Sequence, residues 1–170
     1  MRRFFIATIA AAAALPASAH GPTPQKVDET VTIAADPQTV WAVVGDFAGI
    51  SNWDPFVTKS EGSNAKRVLT FQSGKTLTEE VDEYDPTKMT YTYRMLTPDL
   101  DALPVSSYSA TLVVRPANGN QSEVEWYGRF YRGDTGNEPP DNLSDAAGRE
   151  AMTNFFRTGL DGLKKKLEAK

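Results

Sequence analysis

The chain has 170 residues, a length typical of one domain, and it contains no cysteine. Thiol catalysis, disulfide bonds and cysteine-ligated zinc are therefore excluded. With 18 basic and 22 acidic side chains the formal net charge is −4, so the chain lacks the basic field that holds nucleic-acid phosphates. We expect no nucleic-acid partner.

Residues 1–19 have the three-part pattern of a secretory signal peptide. Arginines at positions 2 and 3 precede an apolar run over 4–15, and Ala-Ser-Ala at 17–19 forms a cleavage site. The run is shorter than the roughly 20 residues of a membrane-spanning helix. We therefore expect cleavage and a periplasmic mature domain of residues 20–170 without a membrane span. Loss of two arginines changes the charge from −4 to −6.

The remaining chain alternates between two periodicities. Apolar alternation predicts a first strand over 26–33, and Asp36 with Pro37 indicates a helix start. Gly45 separates this helix from a second short helix that ends near residue 55. Six further strands are predicted, over 56–60, 66–72, 76–84, 89–96, 107–115 and 123–132. An apolar stripe from Met152 to Leu167 predicts a long helix over 143–170. This order predicts an α+β fold, with helices on one side of an antiparallel sheet.

One stretch carries a family resemblance. Residues 33–47 read Ile-x-Ala-x-Pro-x-x-Val-Trp-x-x-Val-x-Asp-Phe, and Trp53 and Pro55 follow. Further matching pieces are Arg67, Glu79 ahead of Tyr84-Asp85-Pro86, the Leu103-Pro104-Val105 loop and Trp126. Over 26–167 the chain resembles the START/Bet v 1-like (SRPBCC, polyketide cyclase/dehydrase-like) superfamily. The resemblance implies a helix-grip fold: about seven curved antiparallel strands wrap a long C-terminal helix, with two short helices after the first strand and an apolar cavity inside.

Within that superfamily, the export signal, the size and the segment 20–24 are most similar to the MxaD-type periplasmic proteins of methylotrophic bacteria. This resemblance implies a non-catalytic accessory role in methanol oxidation. The implied partners are the quinone-dependent methanol dehydrogenase and its cytochrome c. The chain departs from many relatives at Asp54, where they carry a histidine, so no role of an imidazole is carried over to that position.

Histidine chemistry is excluded on simpler grounds. The only histidine is His20, at the expected mature terminus, so a histidine-dependent hydrolase is ruled out. A second histidine that would complete a copper site with His20 is absent. The polar segment 134–142 lacks the spacing of a calcium loop. We assign no catalytic residue, no metal and no cofactor.

Two charged residues, Arg67 and Glu79, fall in phase with apolar neighbours on adjacent strands. A carboxylate there loses its hydration unless it is paired, and Arg67 is the natural partner. The pair is either a polar anchor for a ligand at the cavity floor or a structural ion pair that fixes strand register. If the protein is an enzyme, Glu79 is the general acid-base candidate.

The remaining candidates for the cavity lining are mostly aromatic. They are Trp53, Tyr91, Tyr93, Tyr108, Trp126, Phe130, Phe156 and Gly159. Aromatic residues at these positions are explained equally by an ordinary core, although buried tyrosine hydroxyls require partners. Gly159 indicates either tight packing or open volume. The Leu103-Pro104-Val105 loop is either a gate over the cavity or a plain apolar turn.

Glu80 and Asp82 alternate outward and predict an acidic surface, which is either merely solvated or steers a basic partner. Three functions remain open: the accessory role, a carrier of a hydrophobic molecule such as a lipid, quinone or isoprenoid, and a cyclase or dehydratase-like enzyme using Glu79 with a tyrosine. Cavity volume separates the first two, because a filled interior contradicts a carrier.

Overall fold

The computed structural model describes residues 21–169, so the predicted signal peptide and His20 lie outside the described residues. The strands are β1 (Gln25–Ile33), β2 (Val57–Gly62), β3 (Lys66–Phe71), β4 (Thr76–Asp85), β5 (Thr90–Thr97), β6 (Val105–Ala117) and β7 (Gln121–Arg132). The helices are α1 (Pro37–Val44) and α2 (Asp145–Glu168), with short 3₁₀ helices at Phe47–Asn52 and Asp141–Leu143.

The seven strands form one antiparallel sheet in the order β1-β7-β6-β5-β4-β3-β2. Helix α2 packs against β1 and β7, and α1 and the Phe47–Asn52 helix lie on the same side of the sheet. The predicted α+β helix-grip fold is confirmed.

Helix α1 begins as its sequence predicts. The Asp36 carboxylate accepts a hydrogen bond from the backbone N–H of Thr39 at 3.0 Å, and Pro37 occupies the first turn, where no donor is needed. The helix ends at Val44, and a separate 3₁₀ helix follows. Gly45 therefore marks the break between two short helices.

Several predicted boundaries differ from the structure. Strand β6 extends two residues beyond the predicted 107–115 at each end, because it pairs with β7 from Val105 opposite Arg132 to Ala117 opposite Gln121. Met89 has a positive φ of 51°, which belongs to a turn, so β5 starts one residue later than predicted. Helix α2 begins at Asp145 rather than at residue 143, since Ser144 caps it by accepting from the N–H of Ala147.

Aromatic rings fill the space between the sheet and α2. Trp126 on β7 stacks on Phe156 of α2 with ring centroids 4.1 Å apart, and Phe155 packs against Trp126 at 5.3 Å. A Cβ atom at Gly159 would lie 2.7 Å from Asp54 Oδ2 and 2.8 Å from Trp126 Cζ3. Gly159 therefore permits tight packing and opens no volume, which answers the question left by the sequence.

Candidate functional site

The buried polar centre of the fold is an ion pair between adjacent strands. Arg67 on β3 and Glu79 on β4 are register partners, and both side chains are completely buried. Arg67 Nε donates to Glu79 Oε2 at 2.5 Å, and Arg67 Nη1 donates to the carbonyl oxygen of Phe47 at 2.5 Å. The Arg67 guanidinium also lies 3.8 Å from the centre of the Phe47 ring. This geometry fixes β3 against both β4 and the Phe47–Asn52 helix.

Tyr108 forms a second hydrogen bond to the Glu79 carboxylate. Its hydroxyl donates to Glu79 Oε1, so both carboxylate oxygens of Glu79 are bonded. Burial, reinforced by the Glu79 charge, raises the pKa of Tyr108 well above its ordinary value, which keeps the hydroxyl a donor. Burial disfavours the charge on Arg67, but the Glu79 carboxylate together with Tyr91 and Tyr93 outweighs this and raises the pKa of the guanidinium. The centre is an ionic pair with a neutral tyrosine.

A row of contacting aromatic side chains leads from this ion pair to α2. Tyr93 packs edge-on against Tyr108 with centroids 6.3 Å apart, and its hydroxyl accepts from Trp126 Nε1 at 2.9 Å. Burial raises the pKa of Tyr93 well above its ordinary value. Trp126 in turn contacts Trp53 and Phe156.

The structure therefore places every predicted lining residue in the interior, although at different distances from the ion pair. Tyr91 packs beside Phe47 and Tyr93, with centroids 5.5 Å and 5.9 Å away. Phe130 lies farther along β7, where it faces Gly148 of α2. All of these aromatic side chains are at most 4 % exposed.

The predicted gate segment is packed into the structure. Leu103 is 1 % exposed and Val105, which opens β6, is fully buried. The Pro104 carbonyl accepts from the N–H of Gly133 at 2.8 Å. In this conformation the segment belongs to the core.

Sequence reasoning missed the part that Asp54 plays. Asp54 follows the Phe47–Asn52 helix, is completely buried, and accepts the N–H of Phe56 through Oδ1 at 2.8 Å. Its Oδ2 has no hydrogen-bond partner among the described residues. Burial raises the pKa of Asp54 to about 7, against the opposing effects of the Phe56 N–H and the Arg67 charge. Strand alternation does not extend into this turn, so only the flanking Trp53 and Pro55 hinted at burial.

Four further buried side-chain atoms lack partners within residues 21–169: Arg67 Nη2, Trp53 Nε1, Ser60 Oγ and Asp145 Oδ1. Buried polar atoms are normally hydrogen-bonded, so unpaired ones indicate a site for water or for a polar group of a ligand. Two concavities stand out among the described residues, and both open on the surface. One, of about 450 Å³, lies on the outer face of the sheet, and the other, of about 390 Å³, lies beside Trp53 and Lys165.

The predicted acidic surface is partly neutralised. Glu80 and Asp82 do lie on the outer side of β4, but Arg94 on β5 forms ion pairs with both of them. Within residues 21–169, no helix is long and apolar enough to cross a membrane. The same residues hold no group of three or more histidine, aspartate or glutamate side chains arranged to bind a metal ion.

Solved structures with similar folds come from several organisms. The protein XoxI from Bacillus cereus matches with a TM-score of 0.73 and 23% identity, covering 85% of this chain and 96% of its own. The Zhui aromatase/cyclase from a Streptomyces species matches with a TM-score of 0.64 and 22% identity over 86% of this chain and 94% of that one. Truncated norcoclaurine synthase from Thalictrum flavum reaches 0.66 at 15% identity, covering 88% and 97%. These likenesses show the fold.

No curated protein matches the chain significantly. A family profile does match, over residues 24–168, and its description is polyketide cyclase / dehydrase and lipid transport. The match spans the whole sheet and α2, including the Arg67–Glu79 pair and Trp126. The chain belongs to the polyketide cyclase / dehydrase and lipid transport family, within the START/Bet v 1-like superfamily, and has the ligand-binding fold of that family.

Proposed function

We propose that the protein is a non-catalytic accessory protein that is exported to the periplasm and acts through contacts with other proteins. The observation that carries this proposal is the filled interior. Side chains of the protein itself occupy the space between the sheet and α2, and Glu79 is bonded through both oxygens. A general acid or base must reach the proton that it transfers, and Glu79 is already committed to Arg67 and Tyr108.

The proposed process is methanol oxidation, with the quinone-dependent methanol dehydrogenase and its cytochrome c as partners. This part rests on the resemblance to MxaD-type proteins and on the export pattern of residues 1–19. The net negative charge supports docking to a basic partner surface in a salt-sensitive way. Because Arg94 pairs with both Glu80 and Asp82 and offsets one of their two charges, the charge of the whole domain, rather than these two residues, is the proposed steering feature.

The test is a comparison of two assays with purified components. Cytochrome-linked methanol oxidation should become faster when the protein is added at low salt, and the increase should disappear at high salt. Dye-linked oxidation, which bypasses the cytochrome, should not change. An unchanged cytochrome-linked rate at low salt contradicts the proposal.

A second candidate is a periplasmic binder of a hydrophobic small molecule. It is favoured by three of the five buried polar atoms that lack partners within residues 21–169, Arg67 Nη2, Asp54 Oδ2 and Trp53 Nε1, which a polar group on an otherwise apolar ligand would satisfy. Such binding requires the aromatic interior to open. Two experiments test whether the protein binds such a molecule. Mass spectrometry of organic extracts from the purified protein detects a bound ligand, and titration with menadione and palmitate, followed by tryptophan fluorescence, measures binding. Saturable binding supports a carrier, and its absence leaves the contact function.

A further inference from the structure

The outer face of the sheet holds a hollow of about 450 Å³, on the side opposite α2. Its lining comes from five adjacent strands, β1, β7, β6, β5 and β4. The side chains of Lys26, Ser109, Tyr127 and Arg129 stand on the solvent side, while Ala110 between them is buried. The hollow is therefore separate from the interior that holds Arg67 and Glu79.

Two cations face each other in this hollow. Lys26 on β1 and Arg129 on β7 are direct register partners on the same face of the sheet. Like charges placed directly opposite each other destabilise an antiparallel pair. Within residues 21–169 neither side chain forms an ion pair, whereas Arg94, which lies in the same row, pairs with Glu80 and Asp82. An anion lying between Lys26 and Arg129 would remove this repulsion.

The surroundings of the two cations limit the kind of anion. Ser109 on β6 is the register partner of Arg129 on the side away from Lys26, and its hydroxyl is a hydrogen-bond donor. Tyr127, which is 39 % exposed, forms an aromatic wall one row away, and Asp28 is its partner on β1. Asp28 supplies an acceptor that suits a hydroxyl or ammonium donor. The volume falls in the range of small-molecule pockets.

We propose that this hollow binds a small organic anion, with its carboxylate or phosphate between Lys26 and Arg129 and an aromatic or apolar body against Tyr127. The site is independent of the proposed contact function. It is also independent of a ligand in the interior, because the sheet separates the two.

The test is NMR titration of the purified ¹⁵N-labelled protein with phenyl phosphate, benzoate and inorganic phosphate. Phenyl phosphate and benzoate should shift the amides of residues 26–28, 109–111 and 127–129 saturably, and inorganic phosphate should bind more weakly because it lacks the aromatic body. Lys26→Gln and Arg129→Gln should each weaken binding by about tenfold, the effect of losing one charge-assisted hydrogen bond.

Controls separate binding from folding. Arg115→Gln removes an arginine of β6 that pairs with Glu123 and Glu125 outside the hollow, and it should leave binding unchanged. Lys26→Arg keeps the charge and should retain binding even if Lys26→Gln unfolds the protein. Lys26→Gln should be no less stable than the wild type at low salt, since it removes the repulsion. Non-saturating shifts, shifts confined to the interior, or equal binding by a folded Lys26→Gln variant would overturn the proposal.

Discussion

Glu79 and Arg67 form a completely buried ion pair in an interior made mostly of aromatic side chains. A buried pair contributes little net stability compared with an apolar pair of similar size, but loss of one partner leaves an uncompensated buried charge. We therefore propose that the pair fixes which strand residues meet. Arg67 also binds the carbonyl of Phe47, so it ties the start of a 3₁₀ helix to the sheet.

Glu79→Gln should lower the free energy of unfolding by about 3 to 5 kcal/mol, because it leaves the Arg67 guanidinium buried without its counter-ion. Urea unfolding followed by tryptophan fluorescence measures this loss. Tyr131→Phe is the matched control for loss of a polar group, since Tyr131 is 39 % exposed. The double variant Arg67→Met/Glu79→Leu should be more stable than Glu79→Gln. If Glu79→Gln is as stable as the wild type, the pair does not organise the interior.

Asp54 gives the protein a pH-dependent stability. Its pKa in the folded protein is about 7, above the ordinary value of 3.8, so folding favours the protonated carboxyl. Below pH 3.8 the carboxyl is mostly neutral in both the folded and the unfolded chain. As the pH rises from 3.8 to 7, it ionises in the unfolded chain but stays protonated in the folded protein, so the free energy of unfolding falls. A difference of about three pKa units corresponds to about 4 kcal/mol at most.

Asp54→Asn should therefore stabilise the protein at pH 8, by up to about 4 kcal/mol, and should have little effect near pH 3.5. The amide oxygen can keep the hydrogen bond from the Phe56 N–H, and the side chain no longer titrates. Denaturant unfolding of both proteins at the two pH values gives the difference directly. A difference that does not change with pH would show that Asp54 has the same pKa in the folded and in the unfolded protein.

At the scale of elements, Gly159 determines how closely α2 approaches β7. Gly159 allows the helix to approach Asp54 and Trp126 so closely that a methyl group would overlap both. Helix propensity alone favours alanine over glycine by about 1 kcal/mol in the middle of a helix. Packing and propensity therefore predict opposite effects of the same substitution.

Gly159→Ala should destabilise the protein by about 1 to 3 kcal/mol, since overpacking outweighs the gain in helix propensity. Thermal unfolding by circular dichroism measures the change. Asn154→Ala, at an exposed position of the same helix, should be neutral or stabilising. Stabilisation by Gly159→Ala equal to that of Asn154→Ala would mean that the interior has room for a methyl group, and it would favour the ligand-binding alternative.

Periodicity predicted most of the fold because one face of each strand is buried and the sheet has a simple antiparallel order. It placed Arg67 and Glu79 correctly on the inner face, and Asp36 and Gly45 marked the limits of α1. It did not predict Asp54, because a turn has no alternation, nor did it predict Tyr108 as the partner of Glu79, because strand register determines that contact. Whether the interior was open or filled depended on volumes that a sequence does not specify.

At the scale of the whole molecule, we propose that the interior serves as a structural core and that the function lies on the surface. The family carries ligands or catalyses reactions within this fold, yet here the position between sheet and helix is taken by Trp126, Phe155 and Phe156. The proposed mature charge of −6 and the outer hollow between Lys26 and Arg129 are the two features on which this proposal of surface recognition rests.

The most direct test of this account is the stimulation of cytochrome-linked methanol oxidation at low salt by the Arg67→Met/Glu79→Leu variant. Circular dichroism and a cooperative unfolding transition first establish that the variant is folded. The account predicts the same stimulation as that of the wild type, because the interior pair serves only the fold. A folded variant that no longer stimulates the reaction would contradict it and would place the function in the interior.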